Sequence, residues 1–329
     1  RELKDSGATQ IILDLRNNPG GLLSEAVNVS NIFIEKGTTI TFTKSAIKKY
    51  NQSYTTQNKA LDTQIPVAVL INENSASASE IVSGSLQDLD RGVVIGSRSY
   101  GKGLVQRPKK LNYGTQAKIT ISRYYTPSGR CIQALDYRDG ESIRKEQSEY
   151  REFKTKNGRS VYDAGGVKPD IEIDIEKDTE LIKALKQSNV IFNFVNTYMN
   201  EHELTINNFE LDTEIMKDFK SFVDTIDFEY NTKTGEKIDE LEAMAQKENY
   251  SETLKNSIQE LRKKLNSEKE KAYDQDAETI KKRITELILR KLGYDEAVYD
   301  YYTKEREVIK EAIQTLNNTK NYKQILGYE

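Results

Sequence analysis

The sequence predicts an α/β core with a mixed β-sheet followed by an all-α domain, because its character changes once along the chain. Up to about residue 175, short β-rich runs alternate with helical patterns, and Gly, Pro and Asn separate them. Beyond Asp174, Gly and Pro almost vanish, and segments rich in Lys and Glu show helical spacing. We therefore predict two domains, residues 1–175 and 176–329, which suits a chain of 329 residues.

The predicted elements of the first domain are apolar runs bounded by turn-forming residues. A tight turn at residues 17–21 separates the first strand from the first helix. The predicted strands cover residues 9–16, 38–42, 65–71, 92–95, 104–107 and 117–125, the predicted helices cover 21–35 and 77–88, and residues 165–173 form a loop that enters an edge strand.

The second domain shows apolar residues at helical spacing on otherwise charged segments. Leu254, Ile258, Leu261 and Leu265 fall at i, i+4, i+7 and i+11, and a similar series runs from Ile280 to Ile288. These stripes are too narrow and interrupted for one long coiled coil. They predict a small helical bundle, or helices laid against the first domain.

Charge and hydropathy limit the partners of the chain. Charged residues make up 31% of the sequence and hydrophobic residues 36%, with a mean hydropathy of -0.72. The formal net charge is -3, so no broad basic field exists to hold a phosphate backbone. We expect no nucleic acid partner.

Cysteine usage and the chain start exclude several further classes. The one cysteine, Cys131, permits no internal disulfide and matches no metal-ligand spacing. No run of 18 apolar residues is present, and the start at Arg1 shows neither an initiator Met nor the apolar segment of a signal peptide. We interpret the chain as part of a longer protein and expect no metal ion or organic cofactor.

Two residues carry the strongest functional signal, Ser77 and Lys102. Ser77 lies between a predicted strand and a predicted helix, and Lys102 follows it by 25 residues between two glycines. The usual partner base is nearly absent, because the only histidine is the distant His202. The pair therefore suggests a serine hydrolase in which a lysine acts as the base.

The surroundings of Ser77 could supply the donors that an oxyanion needs. A helix that starts just after Ser77 directs free N–H groups and a positive dipole end toward the reacting carbonyl, and Ala78 N–H is the natural first donor. Gly20 or Gly21 could give the second donor, because a turn without side chains can present its backbone N–H at the same sheet end.

Ser77 also has a purely structural interpretation. Residues 77–80 read Ser-Ala-Ser-Glu, which is the pattern of a helix capping box. Taken alone, the segment favours this routine helix start, and Ser75 and Ser79 compete with Ser77 for either role.

Lys102 has two alternatives to catalysis. One is a solvated surface lysine; the other is a phosphate-binding loop, since residues 96–102 satisfy its first half. Gly103 stands where that loop needs a hydroxyl, and the residues after it resemble a strand rather than a helix. As a base, Lys102 must be neutral, which burial favours. Gln106 alternates onto the same strand face and could orient the amine.

Six motifs in order resemble the carboxyl-terminal processing proteases, also called tail-specific proteases. The motifs lie in residues 8–174 and read as follows: Asp14-Leu-Arg-Asn-Asn-Pro-Gly-Gly21, Ser75-Ala-Ser-Ala-Ser-Glu-Ile81, Gln87-Asp88, Tyr100-Gly-Lys-Gly-Leu-Val-Gln106, Tyr125-Thr-Pro-Ser-Gly-Arg130 and Gly165-Gly-Val-Lys-Pro-Asp170. The helical remainder is similar in general character to the C-terminal extensions of some bacterial members.

The resemblance implies a ClpP/crotonase-like peptidase core with assigned residues. Ser77 would be the nucleophile, Lys102 the general base and Gln106 its supporting residue. The oxyanion hole would consist of Ala78 with Gly20 or Gly21, and Asp88 matches an acidic position that matters in some members.

The resemblance also implies a substrate class and a location. Members cleave proteins in unstructured C-terminal regions, act in the bacterial periplasm or cell envelope, and normally carry a PDZ domain and an export signal ahead of this region. Neither is in this chain, so substrate capture is in doubt. A non-catalytic scaffold that binds partners or forms a homo-oligomer through its helical half is the competing hypothesis.

Overall fold

The computed structural model describes residues 1–138, 140–173, 178–206, 214–226, 228–248 and 250–328. The chain forms two compact units. Unit 1 comprises Arg1–Ile175 together with Arg306–Glu329, and unit 2 comprises Glu176–Glu305. Unit 2 is thus inserted, in sequence, between two segments of unit 1.

Unit 1 contains all the strands that the structure describes. They are β1 (Ile11–Asp14), β2 (Thr39–Lys44), β3 (Ser53–Thr55), β4 (Val67–Ile71), β5 (Val93–Gly96), β6 (Leu104–Lys110), β7 (Gln116–Tyr125), β8 (Leu135–Arg138), β9 (Glu141–Arg144), β10 (Glu152–Lys154), β11 (Ser160–Tyr162) and β12 (Ile171–Glu172). Its helices are α1 (Glu2–Asp5), α2 (Leu23–Asn31), α3 (Ala78–Asp88), α10 (Glu307–Asn317) and α11 (Thr319–Ile325).

Every secondary-structure element described in unit 2 is a helix. Its helices are α4 (Glu180–Gln187), α5 (Val190–Glu201), α6 (Ile215–Thr225), α7 (Lys233–Lys247), α8 (Glu252–Gln275) and α9 (Ala277–Glu305). The non-helical backbone of Gly293 and Tyr294 interrupts α9. None of the helices described in either unit combines the length and apolar character needed to cross a membrane.

A buried parallel sheet forms the centre of unit 1. Its strand order is β1-β4-β5-β12, and neighbouring strands run parallel. Every residue of β4 is buried, as expected for a strand covered on both faces. Because parallel strands end at one edge, the segments after β1, β4 and β5 come together there. These segments carry Gly20, Ser77 and Lys102.

A second sheet lies beside this core and is antiparallel, with strand order β3-β2-β7-β6. Strands β6 and β7 form its long hairpin, with a register irregularity between Val105 and Gln106. β7 carries Tyr124, which is 2% exposed and belongs to the main apolar core. The α/β class predicted from the sequence is therefore confirmed, and the predicted edge strand appears as β12.

The structure departs from the sequence prediction at the C-terminal segment. The prediction placed residues 306–329 with the other helices, whereas α10 and α11 belong to unit 1. The Tyr322 hydroxyl accepts from Val67 N–H (2.9 Å) and donates to Val67 C=O (3.1 Å). Asn157 also donates to the carbonyl of Leu326. Helical periodicity shows that such a segment is helical, but not which core it covers.

The predicted apolar stripes of unit 2 are confirmed in one helix and only partly in another. Ile280, Ile284 and Ile288 of α9 are fully buried in the main core of the unit. In α8, Ile258 is buried at 3% exposure, but Leu254 and Leu261 are 38% and 47% exposed.

Candidate active site

Ser77 sits in a strained turn between β4 and α3. Its backbone has φ 56° and ψ -115°, a region that residues with a side chain adopt at a cost of about 1–3 kcal/mol. Ser77 is half-buried, while its neighbours Ala76 and Ala78 are buried. A strained serine between a strand and a helix is the arrangement that presents a hydroxyl at the end of a sheet.

The two competing serines are not presented in this way. Ser75 is fully buried; its hydroxyl donates to Leu15 C=O (2.7 Å) and accepts from Asn72 N–H (2.9 Å). Ser79 is 3% exposed within α3. Of the three serines, Ser77 is thus the one that a substrate can reach.

The Glu80 carboxylate joins the Ser77 turn to the Lys102 loop. It accepts N–H donors from Ser77 (2.9 Å), Gly101 (2.7 Å) and Lys102 (2.9 Å), and the hydroxyl of Ser99 (2.5 Å). Burial raises the pKa of Glu80 above its usual range. The four hydrogen bonds favour the charged form and act in the opposite direction, but the effect of burial is larger. The Glu80–Ser77 half of the predicted capping box is present, so the structural and functional interpretations of this segment are compatible.

Tyr124 makes a second connection between the same two segments. Its hydroxyl lies 2.7 Å from Lys102 C=O and 3.2 Å from Ser77 C=O, and donates to both. Burial, and then the nearby Glu80 charge, raise the pKa of Tyr124 well above its usual range, so this group remains a donor. Glu80 and Tyr124 therefore hold the backbones of Ser77 and Lys102 together from two sides.

The side chains of Ser77 and Lys102 are not joined in this structure. Lys102 is exposed rather than buried, contrary to the burial expected of a neutral amine. Within the described ranges, no hydrogen bond links its amine to the Ser77 hydroxyl. Lysine has a flexible four-carbon stem, so the structure fixes the backbone of the pair and leaves the amine free to turn.

Gln106 does not orient the amine in this structure. It lies in β6, is exposed, and its amide donates to the Thr120 hydroxyl over 3.4 Å. No hydrogen bond to Lys102 occurs among the residues that the structure describes. The site thus contains Gln106 as a neighbour on the adjoining strand, without the predicted contact.

Of the predicted oxyanion residues, Gly20 lies against the backbone of Ala76 and Ala78. A side-chain carbon on Gly20, whose φ is +87°, would lie 2.5 Å from Ala76 O and 2.6 Å from Ala78 N. Only glycine permits this approach. Gly20 N–H already donates to the Asn18 side chain (2.9 Å), whereas Ala78 and Gly21 N–H make no hydrogen bond within the described residues. Of the three predicted donors, Ala78 and Gly21 therefore have an unused N–H, and Gly20 is the one whose backbone closely approaches Ala78.

Asp88 lies away from these residues. It ends α3, about 16 Å from Ser77 at ~1.5 Å rise per residue. Its carboxylate contacts the Arg130 guanidinium at 2.7 Å, and both side chains are fully buried. It also accepts Ser128 N–H (3.0 Å). This ion pair anchors the far end of the helix rather than the reacting groups.

The phosphate-loop alternative for Lys102 does not fit the structure. Lys102 is followed by strand β6, which begins at Leu104. A phosphate-binding loop instead opens a helix whose N-terminus faces the anion. No group of three or more metal-ligating side chains occurs in the part of the chain that the structure describes.

Two family models match the chain. Residues 1–141 match "Peptidase family S41", and residues 181–316 match "Probable PDZ-protease, C-terminal helical domain". A CtpA-like serine protease of Staphylococcus epidermidis is 32% identical over 254 residues, which is 77% of this chain and 48% of the relative. The chain belongs to the carboxyl-terminal processing protease family. This is a family of serine-type peptidases.

Other relatives are similar over shorter stretches. A CtpA-like serine protease of Staphylococcus aureus is 43% identical over 140 residues, covering 40% of this chain and 28% of the relative. Among solved structures, the photosystem II D1 C-terminal processing protease is 30% identical, with a TM-score of 0.40, over 53% of this chain and 36% of that one. The chain spans about half (48%) of the length of the S. epidermidis relative.

Sequence reasoning missed the two connecting residues of this family member's site. The sequence pattern assigns Glu80 only to a helix cap and indicates no role for Tyr124. Tyr124 contacts residues 47 and 22 positions away in sequence, and no local pattern indicates such a contact. The buried acid in the Ser-Ala-Ser-Glu segment was the one available signal.

Proposed function

We propose that this chain carries the catalytic centre of a serine endopeptidase that cleaves proteins in unstructured C-terminal regions. The observation that carries the proposal is the strained Ser77 turn, whose backbone shares the Glu80 carboxylate with Lys102. Acyl transfer requires a nucleophile, a base and donors for the oxyanion. We assign these roles to the Ser77 hydroxyl, to Lys102, whose backbone bonds the same Glu80 carboxylate, and to the two unused N–H groups.

In the proposed mechanism, the neutral Lys102 amine accepts the Ser77 proton while the serine oxygen attacks the scissile carbonyl. Ala78 and Gly21 N–H donate to the resulting oxyanion. The C–N bond then breaks, Lys102 returns the proton to the leaving amine, and an acyl-enzyme remains. Water attacks the ester, gives its proton to Lys102, and releases the second product as the proton returns to Ser77.

The choice of lysine rests on the absence of a nearby histidine. His202, the only histidine of the chain, lies in unit 2, stacked on the Tyr198 ring at 4.1 Å. Unit 1 therefore holds no imidazole to act as base. Before reaction, the exposed Lys102 amine has to turn toward the Ser77 hydroxyl, and we propose that substrate capture by parts of the natural protein outside this chain promotes that step.

The test is cleavage of an unfolded protein, followed by mass spectrometry, with the natural protein and with this chain. We expect Ser77→Ala and Lys102→Ala each to abolish cleavage while the far-UV circular dichroism is retained. The matched controls are Ser79→Ala, a buried serine on the same helix, and Lys110→Ala, an exposed lysine on the adjoining strand. Full activity in either dyad variant would refute the assignment.

We also propose that the natural protein is exported to the bacterial cell envelope, the periplasm included. The support is the membership in the carboxyl-terminal processing protease family. Fractionation of cells that express the natural protein, followed by immunoblotting of each fraction, tests this. Recovery of the mature protein only in the cytoplasm would contradict it.

A second function, self-association through unit 2, has a specific observation in its favour. Leu241 and Met244 of α7 and Leu254 and Leu261 of α8 are 38–52% exposed. Large apolar side chains grouped on adjacent helices are typical of contact surfaces. We expect Leu254→Glu with Leu261→Glu to shift a homo-oligomer to monomer in analytical ultracentrifugation. An unchanged sedimentation coefficient would rule this surface out.

A further inference from the structure

A basic groove adjoins the candidate active site. It is lined by the start of β6, by β7 and by the segment after β2, and it has a volume of about 1080 Å³. Its wall includes Leu104, two residues beyond Lys102, and Arg123, which pairs with Leu104 across the sheet. One end of the groove therefore lies two residues along the chain from Lys102.

The charge of the groove is all of one sign. Lys44, Arg107, Lys109 and Arg123 line it, and no Asp or Glu does. Arg123 pairs with Asp136 at 3.2 Å. Among the described residues, the other three cations have no carboxylate within ion-pair distance. In a chain whose formal net charge is -3, three uncompensated cations on one wall make a local field that attracts anions.

Aromatic rings fix two of these cations in position. The Lys44 amine lies 4.9 Å from the Tyr125 ring centre and 5.4 Å from that of Phe42. The Arg107 guanidinium lies 5.6 Å from the Tyr50 ring centre. Cation–π contacts of this kind restrict long side chains before a ligand arrives, which lowers the entropy cost of binding.

The size and lining of the groove suit a peptide. At about 1080 Å³ it exceeds the ~300–1,000 Å³ typical of small-molecule pockets. From Leu104 to Lys109 the strand advances about 17 Å at ~3.4 Å per residue, the length of about five extended residues. Ile47 and Ile119, which are 55% and 44% exposed, offer apolar contact between the charges.

We propose that this groove binds an acidic stretch of the polypeptide substrate and so selects the proteins that are cleaved. This inference rests on the proposed peptidase function. It adds a substrate class, namely unfolded segments that carry Asp or Glu a few residues from the scissile bond. The uncompensated cations favour such an occupant over a neutral tail.

The test separates binding from cleavage. A fluorescein-labelled 12-residue peptide with four Asp or Glu residues, and the same peptide with Asn and Gln in their place, are titrated by anisotropy onto the Ser77→Ala chain. Because several exposed charge contacts act together, we expect about tenfold tighter binding of the acidic peptide. Salt at 0.5 M should remove most of that preference.

Groove variants locate the effect. Lys44→Gln with Arg107→Gln should abolish the preference, as should the charge reversal Lys44→Glu with Arg107→Glu. The matched control Lys118→Glu changes an exposed lysine of β7 that does not line the groove. Thermal unfolding confirms that each variant is folded.

Each outcome decides the inference. A preference lost only in the groove variants supports it. Equal binding of both peptides overturns it, as does an equal loss of the acidic preference in Lys118→Glu. Groove-dependent binding to anionic lipid vesicles, or to a second copy of the chain, without a preference between the peptides also overturns it. A further outcome separates the two proposals. If acidic peptides bind in a groove-dependent way and the Ser77→Ala variant of the natural protein still cleaves its substrate, the groove site is retained and only the proposed mechanism is overturned.

Discussion

Glu80 and Tyr124 set the position of the candidate site at the scale of single residues. Neither has been assigned a reacting role, yet both touch the backbones of Ser77 and Lys102. The site therefore depends on two buried polar groups whose partners come from two separate segments, the Ser77 turn and residues 99–102. A change in either group should move the proposed nucleophile and base relative to each other without removing them.

We expect Tyr124→Phe to reduce both activity and stability. The variant removes a donor from two carbonyl groups, which should lower the free energy of unfolding by about 1–2 kcal/mol. A small displacement of reacting groups can lower kcat by about 10- to 100-fold. Urea unfolding and steady-state kinetics measure the two effects. Tyr113→Phe, on a fully exposed ring, is the control; unchanged kcat in Tyr124→Phe would contradict the positioning role.

The raised pKa of Glu80 predicts a pH dependence of stability. The folded protein binds this proton more tightly than the unfolded chain, so the free energy of unfolding falls as pH rises from 4.5, the ordinary value, through the raised pKa. Glu80→Gln cannot titrate. Its free energy of unfolding relative to wild type should therefore rise with pH across that window, measured by urea unfolding at several pH values.

A surface acid provides the opposite control. Lys154 and Ser160 lower the pKa of the fully exposed Glu152, so any stability from that group is lost as pH falls through its lowered pKa. Glu152→Gln should change the pH profile little, and in the other direction. A pH profile of Glu80→Gln that parallels wild type would show that Glu80 does not titrate differently on folding.

The sequence predicted part of this site for clear physical reasons. The turn at Ser77 follows from an apolar strand that precedes a helix start, and the approach of Gly20 follows from a turn without side chains. The exposure of Lys102 and its separation from Gln106 could not be predicted, because side-chain direction in a loop depends on packing from distant segments.

At the scale of elements, helix α3 has different tasks at its two ends. Its N-terminus presents Ser77 and the Ala78 N–H, and its C-terminus is held by the buried Asp88–Arg130 pair. Arg130 also donates to the Gln87 side chain (2.7 Å). The helix is buried along its whole length. A displacement of one end should therefore shift the whole helix and with it the other end.

We expect Asp88→Asn to destabilise the protein by about 3–5 kcal/mol, because it leaves the Arg130 charge buried without its counter-ion. The folded fraction should keep a kcat close to wild type, since Asp88 is remote from Ser77. Chemical unfolding and active-site titration separate the two readouts. Asp136→Asn breaks a more exposed pair with Arg123 and should cost less than ~1 kcal/mol. A large kcat loss with normal stability would instead place Asp88 in catalysis.

The elements that the sequence predicted best are those with continuous apolar runs. β4 and β5 are short, buried and bounded by polar turns, so their pattern admits few alternatives. The strands β9 and β10, which pair with β8 and β11 respectively, were missed because they are short and charged, and β9 is exposed throughout. Their pairing depends on neighbours rather than on an apolar pattern of their own.

At the scale of the whole molecule, the C-terminal segment completes unit 1. α10 and α11 return to unit 1 after the long helical insertion, and Tyr322 bonds both backbone groups of Val67 at the start of β4. That strand leads directly into the Ser77 turn. The segment thus supports the site from the opposite end of the sheet.

We expect Tyr322→Phe to lower the free energy of unfolding by about 1–3 kcal/mol, since it leaves the buried N–H of Val67 without its hydrogen-bond partner. Urea unfolding measures the loss. Tyr299→Phe, on a 63% exposed ring of unit 2, should be neutral. Equal stability of Tyr322→Phe and wild type would show that residues 306–329 do not brace the strand.

The Val67–Tyr322 contact also affects when unit 1 can finish folding, because it spans 255 residues of sequence. Contacts of such separation form slowly, and during synthesis Tyr322 leaves the ribosome only after the whole helical insertion. Unit 1 therefore lacks this contact while its own nascent chain is still extended and open to cleavage. It can form the contact only after the helical insertion has been synthesised.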